Sequence, residues 1–333
     1  MGLEKDTVNK LKQLLVTPAK ITVVSHANPD GDALGSGLAW ARLLEKKGHE
    51  VRFIVPNDYP EYINWMTDIG KVCIYGKDAE SNDRFIAESD IIFCLDFNQI
   101  DRLESLSRPI SQNEKAKKVL VDHHLNPPHV YDIEISDTGA SSTSYLIYEV
   151  IALMGEEHLV DKGMAESLYV GISTDTGNFS FSNLSPELYR VVARLVEKGI
   201  KPQELNICIY NNYSKDRMRL LGHLLDHKME FVGENAAYIT LDQKEQSKFN
   251  YRHGDNEGFV NYPLSITEIK LSAFFMEVNG MIKVSLRSQG NIDVNIMARK
   301  YFNGGGHKNA SGGKFYEGLD KAVETFKIAA SEI

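Results

Sequence analysis

The chain has 333 residues, of which 42% are hydrophobic and 25% charged, with a formal net charge of −9. That length exceeds one typical core and predicts two domains. The composition is ordinary for a globular protein in water; no run reaches the ~18 apolar residues that span a bilayer, and the acidic balance argues against a basic face for long duplex nucleic acid.

An anionic substrate stays compatible with that balance, because carboxylates loaded with divalent cations become electropositive. Residues 1–20 carry charges throughout and lack an apolar stretch, so no secretory signal is expected. Cys73, Cys94 and Cys208 lie far apart and form no CxxC pair, which fits a reducing cytoplasm.

In chain order, apolar runs predict strands at Ile21–Ser25, Val51–Val55, Val72–Tyr75, Ile91–Leu95 and Lys118–Val121. Helical patterns cover Leu34–Lys47, Ser141–Met154 and Lys162–Ile172, with Ser141-Ser142-Thr143 as a helix start. Such alternation predicts an α/β fold with a mostly parallel sheet flanked by helices. Pro186 opens a further helix to about Lys198, closed by Gly199. The polar stretch 201–217 reads as a linker between a catalytic domain over 1–200 and a smaller α/β domain with a mixed sheet over 218–333. In that second part, Met218–Lys228 reads as a helix. Phe231–Val232, Ala236–Leu241, Ile266–Val278 and Met281–Leu286 read as strands, and Asn279-Gly280 as a hairpin turn. A helix from about Leu319 ends the chain.

Four polar clusters lie at the ends of these elements. Ser25-His26-Ala27-Asn28-Pro29-Asp30-Gly31-Asp32 places one imidazole and two carboxylates directly after a strand. Gly31 would let the loop bend so that Asp30 and Asp32 both point inward; an acidic, solvated turn is the alternative. Asp96 follows the run Ile91–Leu95, where it would either bind metal or cap a helix near Asn98–Leu103. Asp122-His123-His124 follows a buried strand; if extended, its middle residue faces the opposite way from its neighbours. Asp175-Thr176-Gly177 offers another carboxylate, or only a helix end stopped at Gly177.

Carboxylates and imidazoles without thiolates point away from structural zinc and toward Mn²⁺, with Mg²⁺, Co²⁺ or Fe²⁺ as other options. Four carboxylates and two histidines suffice for two metals that share one bridging carboxylate. Such a pair, roughly 3.5–4 Å apart, generates a hydroxide nucleophile and clamps a phosphoryl group. The expected reaction is phosphoester hydrolysis. A fifth cluster, Phe302-Asn303-Gly304-Gly305-Gly306-His307-Lys308 through Gly313, has glycines that let backbone N–H groups approach an anion. Arg287 and Ser288 upstream form a good phosphate-binding pair.

His26-x-x-x-Asp30-x-Asp32, Asp96, Asp122-His123-His124 and Asp175-Thr176-Gly177 resemble the four motifs of the DHH phosphoesterases, in order. The segment from Phe302 to Gly313 is similar to the glycine-rich motif of their DHH-associated C-terminal domain. The length without further domains looks most like the nanoRNase type, bifunctional oligoribonucleases and pAp phosphatases. The resemblance implies a site in the cleft between two domains with two Mn²⁺ ions, Mg²⁺ or Co²⁺ being alternatives. His26 and Asp30 would hold one ion, Asp32, His123 and Asp175 the other, and Asp96 would bridge them. His124 would face the substrate phosphate, and Asp122 would orient the histidines. Arg287, Ser288, Gly304, Gly305, Gly306 and His307 would hold the substrate. Substrates of RNA 2- to 5-mers and pAp follow from the same likeness, and a homodimer is compatible with the sequence. A pApA or cyclic-dinucleotide phosphodiesterase, an inorganic pyrophosphatase and a non-catalytic nucleotide sensor are the competing readings. Glu104 departs from the pattern, since many relatives carry glycine there.

Overall fold

The structure is a computed structural model that describes residues 3–125, 127, 129–180 and 184–332. The chain divides into two compact units, Met1–Asn212 and Tyr213–Ile333. The first unit holds, in order, α1 (Lys5–Leu14), β1 (Lys20–Ser25), α2 (Gly31–Lys46), β2 (Glu50–Val55), β3 (Cys73–Ile74), α3 (Ala79–Glu88), β4 (Ile91–Leu95), α4 (Ser107–Gln112), β5 (Lys117–Asp122) and β6 (Ile133–Ser136). Helices α5 (Thr143–Leu153), α6 (Lys162–Asp175), α7 (Pro186–Glu197) and α8 (Pro202–Tyr210) complete it.

The six strands form one sheet in the order β3-β2-β1-β4-β5-β6, and every pairing is parallel. Side chains alternate between two apolar layers, as the period of two in a strand requires. Ile21, Val23, Phe93 and Val121 join the layer under α2, α5 and α6. Val24, Ile54, Ile92 and Leu120 join the layer with Ile86 of α3 and Ile110 of α4. Burial on both sides explains why these strands read as continuous apolar runs. The strand order reverses between β1 and β4, and open parallel sheets form a ligand crevice at the carboxyl ends beside such a reversal.

Several expectations are corrected. β6 carries only two apolar residues and has no run to announce it. Helices α1 and α3 lie outside the predicted elements; they are short amphipathic helices anchored by Val8 and Leu11 and by Phe85 and Ile86. Asp175 ends helix α6 instead of following it in a turn, and Gly177 has φ +55°. The segment 201–217, expected as a linker, is mostly helical. α8 buries Leu205 and Ile209 in the first core, and its polar residues are the exposed remainder of an amphipathic helix. Glu104 adopts φ 47°, ψ −118°, a conformation that glycine takes without cost and other residues hold only under strain. The backbone thus keeps a glycine's conformation where the sequence has a glutamate.

In the second unit, α9 (Lys215–His227) precedes β7 (Met229–Val232), β8 (Ala236–Leu241), α10 (Gln243–Lys248), β9 (Leu271–Val278), β10 (Met281–Ser288), α11 (Val294–Tyr301), β11 (Gly305–His307), β12 (Ala310–Phe315) and α12 (Leu319–Ser331). The sheet order is β11-β12-β10-β9-β8-β7; only β8 and β9 pair in parallel, so the sheet is mixed. Strand β9 starts at Leu271 and not at Ile266, because residues 259–265 form a 3₁₀ segment and Ile266 N–H still donates to Pro263 O. Asn279 and Gly280, both at positive φ, make the β9–β10 turn. Core residues Phe275, Val284, Phe302, Phe315 and Phe326 lie on the side of α11 and α12. Leu220, Leu224, Phe259 and Phe274 lie on the side of α9. No described helix is long and apolar enough to cross a membrane.

Helices α2 and α6 pack so closely that a Cβ on Gly35 would lie 2.4 Å from Ser167 O. Since α2 carries Asp32 and α6 carries Asp175, that contact sets the distance between two site residues. Gly35→Ala should force the helices apart and lower stability by about 1–3 kcal/mol, read as a shifted denaturant midpoint.

Candidate metal centre

Three neighbouring strands end at the crevice with donors at their tips. His26 follows β1, Asp96 follows β4, and Asp122-His123 closes β5. Asp30 caps the start of α2, its Oδ1 accepting from the N–H groups of Asp32 (3.0 Å) and Ala33 (3.1 Å). Gly31 is needed for a different reason than a bend: a Cβ there would lie 2.4 Å from Thr174 Oγ1 of α6.

Asp32 is wholly buried in the first turn of α2. Its Oδ2 accepts from Thr143 N–H (2.6 Å) and its Oδ1 from Ser144 N–H (2.8 Å), at the start of α5. A helix N-terminus favours a negative charge, so α5 stabilises this carboxylate. Asp96 has φ +65°, which aspartate tolerates better than most residues. Its Oδ1 accepts from Thr143 Oγ1 (2.9 Å) and lies 3.5 Å from His123 Nε2, while Oδ2 lies 3.4 Å from His26 Nε2. Asp96 caps no helix; the 3₁₀ segment after it starts behind Gln99, which makes no side-chain cap bond.

Donor atoms of His26, Asp30 and Asp96 all lie within 4.8 Å of one another. The same limit holds for Asp32, Asp96 and His123, and for Asp96, Asp122 and His124. Asp96 belongs to all three groups. Asp175 joins through His123, with Oδ2 3.1 Å from Nε2. Asp122 holds His124 and not His123: its Oδ1 is 2.7 Å from His124 Nδ1, and its Oδ2 accepts from His124 N–H at 3.0 Å. The His123 ring rests on Ala140 O through Nδ1, at 3.3 Å.

Burial pushes the Asp32 carboxyl well above the usual carboxylate range, and the charges of Asp96 and Asp175 add to the push. Burial also raises Asp30, against the pull of His26. Asp96 goes the other way: burial is outweighed by His123 and His26, which hold it well below its ordinary value. Burial disfavours the charged imidazoles, yet Asp175 and Asp96 raise His123 well above its ordinary value, and Asp96 raises His26. Protons are thus drawn to the place where the clustered carboxylates require positive charge. Oxygen and imidazole donors in this arrangement fit hard or borderline divalent ions.

The second unit places Arg287 on β10 and His307 on β11, each directly opposite Ala310 of β12. Ser288 is buried, donating its hydroxyl to Ile292 O (2.7 Å) and accepting from Asn309 Nδ2 (2.9 Å). The glycines form a paired hairpin instead of an open loop. A Cβ on Gly304 would meet Gly312 O at 1.9 Å, and one on Gly306 would meet Ala310 O at 2.6 Å. Gly304 N–H donates to Ala298 O and Gly306 N–H to Asn295 Oδ1. Close backbone packing explains these glycines, and Gly305 pairs with Gly312 across the hairpin.

Thr143 is the site residue that sequence reasoning placed only as part of a helix start. Ser142 does cap α5, accepting from Tyr145 N–H at 3.0 Å, and Thr143 beside it reaches both Asp32 and Asp96. Its signal was a second hydroxyl at a helix start that needs only one. Thr143→Val should loosen divalent-metal binding about tenfold, as loss of a ligand-orienting bond does, with helix content unchanged; metal titration by calorimetry checks it.

The model of the DHH family, N-terminal domain, matches residues 20–172, and that of the DHHA1 domain matches residues 233–332. The chain is 28% identical over 302 residues to a bifunctional oligoribonuclease and PAP phosphatase of Thermus thermophilus, covering 90% of this chain and 85% of the relative. It is 28% identical over 293 residues to the protein of the same description from Bacillus subtilis, covering 87% and 88%. The crystal structure of an exopolyphosphatase-related protein from Bacteroides fragilis superposes with a TM-score of 0.94 at 39% identity, covering 99% of this chain and 97% of that one. With ordered donors at three strand ends and both domain models matched, the chain belongs to the DHH family and carries a DHHA1 domain behind its DHH domain.

Proposed function

We propose that this protein is a Mn²⁺-dependent phosphoesterase that hydrolyses RNA 2- to 5-mers to mononucleotides and converts pAp to AMP. The carrying observation is that Asp96 is shared between the His26–Asp30 group and the Asp32–His123 group, the donor arrangement of a two-metal site. His26, Asp30 and Asp96 would hold one ion, and Asp32, Asp96, His123 and Asp175 the other, with Mg²⁺ or Co²⁺ as alternatives. Two such ions supply a water of lowered pKa and neutralise charge on the phosphoryl group. The chain's own residues then position the substrate. His124, its Nδ1 tied to Asp122, directs its remaining ring nitrogen toward the scissile phosphate. Arg287 and His307, flanking Ala310, hold phosphate and nucleotide groups. Ser288, Gly304, Gly305 and Gly306 act by shaping the hairpin that presents His307. The likeness to named oligoribonuclease and pAp phosphatase relatives over about nine-tenths of the chain supports this substrate class. A cytoplasmic setting suits such substrates, long duplexes do not, and a homodimer is compatible.

Asp96→Ala should abolish Mn²⁺-dependent turnover of pAp and RNA dimers while the chain stays folded, because both ion sites lose a donor. A panel of pAp, pApA, RNA 2- to 5-mers, a long single strand and pyrophosphate tests the substrate class; preference for the long strand or pyrophosphate overturns it. Metal binding must displace protons from His26 and His123, whose pKa values are raised. Mn²⁺ affinity should therefore rise with pH through and above the ordinary imidazole range, with proton release. Calorimetry at about pH 6 and about pH 8 reads it; equal affinities would sink the ligand assignment.

A further inference from the structure

The 3₁₀ segment Ile100–Leu106, which follows Asp96, keeps its shape under strain. Glu104 holds φ 47°, ψ −118° inside it, a conformation open to glycine and unfavourable for a residue with a Cβ. Such strain persists only where the surroundings fix the backbone, and it collects in segments whose shape is used. Here the fixing is visible. Ala27 N–H, next to His26, donates to Arg102 O at 2.8 Å, and Arg102 N–H donates to Gln99 O at 3.0 Å. Leu103 and Leu106 are wholly buried, in the apolar layer with Ile92 and Leu120. Arg102 therefore sits on a backbone held from both sides and tied to the loop of His26, and it is exposed.

The Arg102 guanidinium has no protein partner. Among the described residues no carboxylate, carbonyl or aromatic ring engages it; Asp101 and Glu104 flank it in the chain, and it pairs with neither. Arg84 and Arg190, also exposed, take a carboxylate from their own helix turn. The charge of Arg102 nevertheless reaches the metal centre. Burial and Arg102 both oppose the protonated His26 imidazole, which Asp96 and Asp30 favour. A cation at this place also repels the divalent ions that His26 and Asp30 would bind. Neither folding nor metal binding gains from it. What gains is an anion that comes to the same place, and a guanidinium presents paired N–H donors that match two oxygens of a phosphoryl group.

We propose that Arg102 is a catalytic residue carried by the first unit itself, contacting the non-bridging oxygens of the phosphoryl group that is hydrolysed. The proposal rests on the phosphoesterase reading above and deepens it, adding a cation at the reacting phosphorus to the Arg287 and His307 of the second unit. In the reaction, water oxygen bonds to phosphorus, and the ester oxygen leaves with its bonding pair and takes up a proton. Arg102 exchanges no proton and stays charged throughout. Its contact strengthens as negative charge builds on the oxygens, so it acts on kcat more than on KM.

The test uses the full-length Mn²⁺-loaded protein with an RNA dimer and with pAp. Arg102→Ala should lower kcat about a hundredfold on both, as loss of one donor at the developing charge does, with KM and melting temperature little changed. Free guanidinium at a non-denaturing concentration should restore part of the lost kcat. Mn²⁺ should bind Arg102→Ala more tightly by calorimetry, because a repelling charge is gone. Arg84→Gln, the control on α3, should behave as wild type. An unchanged kcat in Arg102→Ala, which would make Arg102 a solvated surface cation, overturns the proposal. So does a change in KM alone, or a loss of kcat that comes with a lower melting temperature or weaker Mn²⁺ binding and that guanidinium does not restore. A wild type that cleaves neither the dimer nor pAp overturns the phosphoesterase reading instead. Calorimetric binding of AMP to the Mn²⁺-loaded wild type and Arg102→Ala then decides the arginine, weaker binding in the variant supporting its phosphoryl contact and equal binding overturning it.

Discussion

The structure depends on one electrostatic problem: several carboxylates crowded and buried around Asp96. Asp32 and Asp96 are almost fully buried, and Asp30 and Asp175 act on them through space. Such a cluster is unstable unless positive charge and hydrogen-bond donors are delivered to it. The fold delivers both. The start of α5 donates two N–H groups to Asp32 and one hydroxyl to Asp96, and the tips of β1 and β5 bring His26 and His123 against Asp96. What remains unbalanced is the charge that divalent ions would supply.

Close packing makes that delivery accurate. Gly31 and Gly35 let α2 approach α6 to a distance that no Cβ permits, and the two helices carry Asp32 and Asp175. The second unit uses the same device differently. Gly304, Gly306 and Gly313 let the β11–β12 hairpin lie against its neighbours, so glycines that suggest a mobile loop instead build a paired hairpin. The strained Glu104 belongs with these observations, since the turn after Asp96 retains its shape where the side chain is unfavourable. Arg102, two residues before it, accepts from Ala27 N–H at 2.8 Å, which ties that turn to the loop bearing His26.

Much of this was legible in the residues. Strands β1, β4 and β5 announce themselves because the middle of a parallel strand buried on both faces must be apolar, and the helices over Pro186–Glu197 and Leu319–Ser331 carry clear amphipathic patterns. Elements held by only a few contacts were not legible. β6, with Ile133 and Ile135 alone, and α8, with a mainly polar surface, take their form from the neighbours they dock on. The role of Thr143 was hidden likewise, since a helix-start hydroxyl gives no sign of what lies 2.9 Å away.

By itself the sequence determined the donor set: imidazoles and carboxylates, no thiolates, placed after apolar runs that can only be buried strands. That chemistry is local, because residue type decides which ions a site can hold. Tertiary structure alone decided the sharing. His26, Asp96 and His123 are distant in the chain, and only the parallel order with its reversal between β1 and β4 sets their strand tips side by side. It decided too that Asp122 supports His124 and not His123, and that Arg287 and His307, on different strands, flank Ala310. Strand register brings such pairs together, and register follows from the packing of the whole sheet.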